Sequence, residues 1–201
     1  MTRRSLGCLF EIVETLVLTL IIFFVIQTFV AQPYRVEQQS MERTLEPDQY
    51  VLVDKLTPRF DAYSRGDIVV FEPPEAWVQG GSRTPFIKRV IGLPGDTIEV
   101  RDGSVWVNGV RLVEPYVYDG QPTTASEEPA RWVVPAGDLF VMGDHRQASA
   151  DSRAFGPIAQ SAVIGRAWLR YWPLDTLGIL PTPVYPAPVG SGATEPSPAA
   201  P

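Results

Sequence analysis

The chain has 201 residues with 17 basic and 23 acidic side chains, a net charge of −6, which suits one ordinary domain with an appendage or two and excludes most multidomain arrangements. A sequence pI near 4.8 argues against a protein that works by neutralising phosphates, so nucleic acid is not an expected partner. The single cysteine, Cys8, and the single histidine, His145, exclude an internal disulfide, a thiolate metal cluster and paired-histidine zinc motifs.

Residues 1–11 form a short polar amino end carrying Arg3 and Arg4, and residues 12–31 run almost unbroken through aliphatic and aromatic side chains. That stretch matches the ~20 residues a helix needs to cross a bilayer. Glu11 and Glu14 sit near its start, within reach of the headgroup layer. A cleavable secretory signal has the same outline, but cutting after Ala31 would place Phe29 where a small residue is required, with Pro33 just beyond. An uncleaved single anchor is therefore expected. The basic amino end points to the cytoplasm, against only Arg35 and Arg43 just past the span.

From Tyr34 to Trp172 the pattern changes to short apolar runs between turn residues. Tyr50–Val53, Asp67–Phe71, Phe86–Ile91 and Trp132–Val134 have strand length and β-branched content. Between Glu99 and Leu112, Asp102-Gly103 and Asn108-Gly109 supply the positive φ angles of tight hairpin turns, predicting a three-stranded meander. The fold class expected for residues 34–172 is mainly β. After Trp172, residues 173–201 are rich in proline, glycine, serine and alanine, a composition that cannot build a core, and disorder is expected from Val184 onward.

With metal clusters and histidine pairs excluded, hydroxyl, amine and carboxylate groups remain as sources of chemistry. Ser40-Met41 follows the apolar segment, and Lys88 lies inside the run Phe86 to Ile91. Strand alternation puts Phe86, Lys88 and Val90 on one face and Ile87 and Arg89 on the other. If the Lys88 face is buried, loss of hydration lowers its pKa; a fall from ~10.4 to ~7.5 corresponds to about 4 kcal/mol. A neutral lysine serves as general base for a serine hydroxyl. From this run alone the alternative stands, that the stem carries the charge to solvent.

The surrounding words resemble those of the bacterial type I signal peptidases (leader peptidases). Ser40-Met41 with Thr44-Leu45 is similar to the nucleophile box, Tyr50-Val-Leu-Val-Asp-Lys55 to the strand after it, and Arg65-Gly-Asp-Ile-Val-Val-Phe71 to the next motif. Phe86-Ile-Lys-Arg-Val-Ile-Gly-Leu-Pro-Gly-Asp96 resembles the base-bearing motif. Gly143-Asp-His-Arg-Gln-Ala-Ser-Ala-Asp-Ser-Arg-Ala-Phe-Gly156 resembles the last box. The resemblance covers residues 36–172 in the family's order. It implies a signal-peptidase-like β fold on one transmembrane helix, with a smaller β insert over about residues 96–142.

It further implies Ser40 as nucleophile, Lys88 as general base and Ser149 as the hydroxyl that orients the lysine. Asp151 and Arg153 would be a supporting ion pair, and Gly143, Asp144 and Arg146 a supporting turn. The expected substrate walls are Val36, Met41, Leu45, Val51, Val70, Phe86 and Ile87. Signal peptides with small residues one and three positions before the cut would be the substrates, the lipid bilayer the other partner, and no cofactor is implied. The catalytic domain would lie on the outer face of the cytoplasmic membrane.

Three departures stand out. Gln38 occupies the place of a usual serine or glycine that helps form the oxyanion hole, Arg43 replaces a proline, and His145 and Ala148 replace asparagines. Two other readings are kept: a hydrolase with His145 as base, oriented by Asp144 or Asp151, and a relative that holds signal peptides without cutting them.

Overall fold

The computed structural model describes residues 2–56, 58, 60–78, 84–125, 130–183 and 185, with side chains from residue 10 onward. The apolar segment forms α1, Thr2–Val25, and a wider π-helical turn, Ile26–Val30, carries it into β1, Ala31–Arg35. Among the described residues this is the one helix long and apolar enough to cross a membrane, over Phe10–Val30. Over Phe10–Val30 its phenylalanines, leucines and isoleucines are exposed, and none of that span is buried against the other described residues. The helical stretch stops just before the expected boundary at 31, because Ala31 already pairs with Asp54.

The remainder is mainly β. The strands are β2 Tyr50–Asp54, β3 Ile68–Phe71, β4 Phe86–Gly92, β5 Thr97–Arg101, β6 Ser104–Val107 and β7 Val110–Arg111. They continue with β8 Arg131–Val133, β9 Asp138–Met142, β10 Ile158–Ala159, β11 Val163–Trp172 and β12 Gly178–Ile179, and a short helix α2, Ser152–Phe155, lies between β9 and β10. Eight strands form an antiparallel sheet ordered β1-β2-β11-β3-β4-β9-β10, with β12 on β11.

The other four form a sheet ordered β7-β6-β5-β8. Its hairpins turn at Asp102-Gly103 and Asn108-Gly109, all four residues at positive φ between 50° and 79°. That is the geometry two-residue hairpins demand. One core cluster, including Ile91, Ile98, Val107 and Phe140, joins this sheet to the larger one. A second, with Val36, Met41, Leu45, Val51 and Val70, underlies the start of the domain. A third gathers Phe71, Trp77, Val90 and Val141.

The segment after Trp172 departs from the expectation of a structureless tail. Gly178–Ile179 pairs with Leu169 and Arg170, and the Leu180 N–H donates to Trp168 O at 2.8 Å. Leu180 is buried among Val36, Met41 and Leu45, and Tyr185 Oη lies 2.6 Å from Tyr116 Oη. The physical reason is local. Ile179 and Leu180 alternate across a sheet edge, and Pro181 and Pro183 owe no N–H to a neighbouring strand there. Val184 and residues 186–201 lie outside the described residues.

Candidate active site

β4 is an interior strand, paired with β3 through Val69↔Lys88 and Ile68↔Arg89, and with β9 through Arg89↔Met142. Both of its edges are therefore paired, and both of its faces are buried, since Lys88 and Arg89, on opposite faces, are 1% and 0% exposed. The lysine has no route to solvent for its charge. Its Nζ donates to Ser40 Oγ at 2.6 Å and stands 5.3 Å from the Phe86 ring centroid. Burial pushes the Lys88 amine down from 10.5 to about 8; Asp151 and Asp144 oppose that fall and Arg153 adds to it.

Ser40 sits in a single helical turn, Gln39–Met41, that follows β1 and is anchored by buried Met41. A second turn, residues 143–149, closes over it. The Ser40 carbonyl accepts from the His145 N–H at 3.0 Å. A Cβ placed on Gly143 would lie 2.5 Å from Ser40 O and 2.3 Å from Ser149 Oγ. Glycine is thus required because two chain segments converge on its α-carbon.

Asp151 organises that turn. It caps α2 and accepts from Gly143 N at 3.0 Å, Ser149 Oγ at 2.7 Å and Arg153 Nε at 2.8 Å. Burial alone would raise its carboxyl, but Arg153 and the two other donors outweigh it and hold the pKa below the ordinary 3.8. Arg153 also reaches Arg146 O at 2.6 Å. Arg146 forms an inner pair with Glu114 at 2.6 Å. Asp144 receives both Arg89 Nε at 2.9 Å and Nη2 at 2.7 Å, and accepts from Thr44 Oγ1 at 2.6 Å.

Ser40, Lys88, Gly143, Asp144, Ser149, Asp151 and Arg153 are thus gathered around one point. The Ser149 hydroxyl, expected to orient the lysine, donates to Asp151 Oδ2 at 2.7 Å, which fixes the hydroxyl and leaves its oxygen as an acceptor.

A cleft of ≈ 170 Å³ has a lining that includes Val36, Val51, Val70 and Ile87, together with Tyr34, Gln38 and Pro85; it takes in Gln38, two residues before Ser40, but not Ser40 or Lys88. Met41, Leu45 and Phe86, expected as further walls, do not line it. The first two are 0% exposed in the core below, and Phe86 packs against Phe71 and Trp77 on the other face of β4. Residues that sequence reasoning did not assign are Arg89, Thr44, Glu114 and Tyr34. Alternation on β4 marked Arg89 as facing away from Lys88, but nothing local said that this face is buried as well.

The alternative base, His145, is not oriented by Asp144 or Asp151, which pair with Arg89 and Arg153; its Nδ1 bonds Glu42 Oε2 at 2.7 Å.

The sequence pattern of the family described as signal peptidase, peptidase S26, matches residues 9–172. Signal peptidase I of Leptolyngbya laminosa is 40% identical over 180 residues, covering 88% of this chain and 87% of that protein. The probable signal peptidase I-2 of Synechocystis sp. is 37% identical over 85% of this chain and 76% of its own length, and signal peptidase I of Bacillus licheniformis is 34% identical over 84% and 91%. A crystal structure of a signal peptidase I from Enterococcus faecalis V583 has 34% sequence identity, covers 53% of this chain and 97% of that one, and aligns with a TM-score of 0.42. The family match and these relatives define the class, a peptidase. The chain belongs to the signal peptidase family, peptidase S26.

Proposed function

We propose that this protein is a membrane-anchored serine endopeptidase that removes signal peptides from secreted preproteins, with Ser40 as nucleophile and Lys88 as general base. The observation that carries the reading is the 2.6 Å contact between a buried amine and a buried hydroxyl. With its pKa near 8, Lys88 is neutral in about a tenth of molecules at pH 7 and in half at pH 8. Ser40 Oγ attacks the scissile carbonyl as Lys88 takes its proton. The Ser40 N–H and the Gln38 side-chain amide hold the oxyanion. Lys88 then protonates the leaving amine and later activates the water that cleaves the acyl-enzyme.

Val36, Val51, Val70 and Ile87 line a narrow apolar cleft, which suits small residues one and three positions before the cut and rejects larger ones by clash. Asp144, Arg146, Asp151 and Arg153 hold the turn over Ser40, and Ser149, its hydroxyl fixed by Asp151, orients the lysine. The apolar helix Phe10–Val30 anchors the enzyme with Arg3 and Arg4 on the cytoplasmic side. It confines enzyme and membrane-embedded substrate to one plane on the outer face, raising effective concentration.

The test is cleavage of a labelled preprotein whose signal ends in Ala-x-Ala, with detergent-solubilised protein beside Ser40→Ala, Lys88→Ala and Gln38→Ala. Cleavage by the parent, silence from the first two and a roughly 100-fold slower Gln38→Ala are expected. Intact substrate with the parent overturns the reading in favour of a protein that only holds signal peptides.

A further inference from the structure

Resting on the Ser40 and Lys88 reading, we propose that Glu42 and His145 form a positioning pair, a clasp outside the dyad that fixes the rotation of the nucleophile turn. Ser40 is presented by one turn in a loop, so its Oγ and N–H keep their aim only if that turn is pinned at more than one point. The first pin is the Ser40 carbonyl, held by the His145 backbone N–H at 3.0 Å. On the side of the 143–149 turn, that one backbone hydrogen bond fixes a point of the nucleophile turn but not its rotation over buried Met41.

The same residue supplies the second pin. His145 Nδ1 bonds Glu42 Oε2 at 2.7 Å, both side chains being only 15% exposed. A carboxylate accepts, so Nδ1 carries the proton. The Glu42 N–H donates to Gln39 O at 3.0 Å, so residues 39, 40 and 42 are tied into one circuit through His145.

The imidazole is itself immobilised. It stacks on Tyr118 with ring centroids 4.2 Å apart, and the Tyr118 N–H donates to Asp144 O at 3.0 Å. Next to Glu42, Arg43 Nη1 reaches Val117 O at 2.8 Å, so two consecutive side chains of the nucleophile loop cross to the same wall. Neither Glu42 nor His145 lines the substrate cleft. The clasp therefore acts on turnover and leaves substrate binding alone.

Cleavage kinetics test it with the full-length parent, Ser40→Ala, Glu42→Ala, His145→Ala, the double alanine variant and His145→Asn. Asparagine carries an amide N–H one bond beyond Cγ, where histidine has Nδ1, and so restores the donor without the ring. Each single alanine variant is expected to lose about tenfold or more in kcat with KM within about twofold. The double variant loses no more than the worse single one, and His145→Asn recovers most of the loss. Unchanged kcat in Glu42→Ala, multiplying losses in the double variant, or an asparagine variant as slow as His145→Ala overturns the clasp. If His145→Ala does not fold, Glu42→Ala and His145→Asn still decide, through a slow first and a fast second. A parent that fails to cleave sinks the peptidase reading itself, whereas a cleaving parent, a silent Ser40→Ala and full-speed clasp variants sink only this proposal.

Discussion

Arg89 and Asp144 meet in a two-pronged ion pair, 2.9 and 2.7 Å, with both side chains at 0% exposure. The Arg89 guanidinium also lies 4.1 Å over the Tyr116 ring and donates to Gly66 O at 2.8 Å. Asp144 in turn holds Thr44 of the nucleophile loop. Asp144→Ala strands a buried cation and should cost about 3–5 kcal/mol in urea unfolding. Replacing both residues by apolar ones of similar volume should cost far less, since it leaves no uncompensated charge. Equal losses in the two variants would contradict the buried-pair account.

Activity should rise with pH along a single limb of apparent pKa about 8, the value to which burial lowers Lys88. Only the neutral amine accepts the Ser40 proton, so rate is lost as pH falls through that value. Single-turnover cleavage between pH 6 and 10 measures it. A rate still climbing steeply near ~10.4, the value of an exposed lysine, would contradict a buried base.

Gly143→Ala should lower turnover by about 100-fold or more. The new Cβ would meet Ser40 O at 2.5 Å and Ser149 Oγ at 2.3 Å. The hydroxyl can rotate aside; the backbone carbonyl cannot move without carrying Ser40 with it. Acylation by a serine-directed covalent probe reads the effect, and a variant acylated at the parent's rate would show the turn tolerates the shift.

How much of this was legible depended on whether the signal was local. The Asp102-Gly103 and Asn108-Gly109 turns, the apolar helix and the strands β2, β3 and β4 are written in short windows, and the structure has them where expected. The sequence pattern does not mark β11 as a strand. Arg166 and Arg170 interrupt its apolar pattern and register shifts bend it three times, yet it lies between β2 and β3 in the sheet. The burial of Arg89 was illegible for the same reason: its partner Asp144 is 55 residues away. Phe86 illustrates the reverse. Its motif position suggested a cleft wall, but alternation from Ile87, which does line the cleft, turns it away. Proline content was a poor guide beyond Trp172, where a few apolar side chains suffice to seat residues 178–180 on the sheet.

Leu180→Ala should therefore destabilise the whole domain by about 2–3 kcal/mol, although it lies past the end of the family match at residue 172. Its side chain is 7% exposed and shares a cluster with Met41 and Leu45, directly below the nucleophile turn. Exposed Ile179 serves as the control, with Ile179→Ala expected within about 0.5 kcal/mol of the parent. Equal, small effects of the two changes in denaturant unfolding would mean that the segment is an ornament of the sheet and not part of the core.

The base proposed for this protein also carries a stability cost that its chemistry requires. Lys88 has its folded pKa lowered to about 8 from 10.5, so between those values the unfolded chain binds more protons than the folded one. Stability then rises with pH across that window. The penalty is fully present below about pH 8 and vanishes above 10.5. Lys88→Met keeps the length of the side chain and removes the charge. It should gain on the order of 3 kcal/mol at pH 7 and much less at pH 10.5, while abolishing cleavage at both. Urea denaturation of the parent and the variant at the two pH values measures the difference. A gain independent of pH would mean that methionine simply packs better, and would remove burial of the charged amine as the cause.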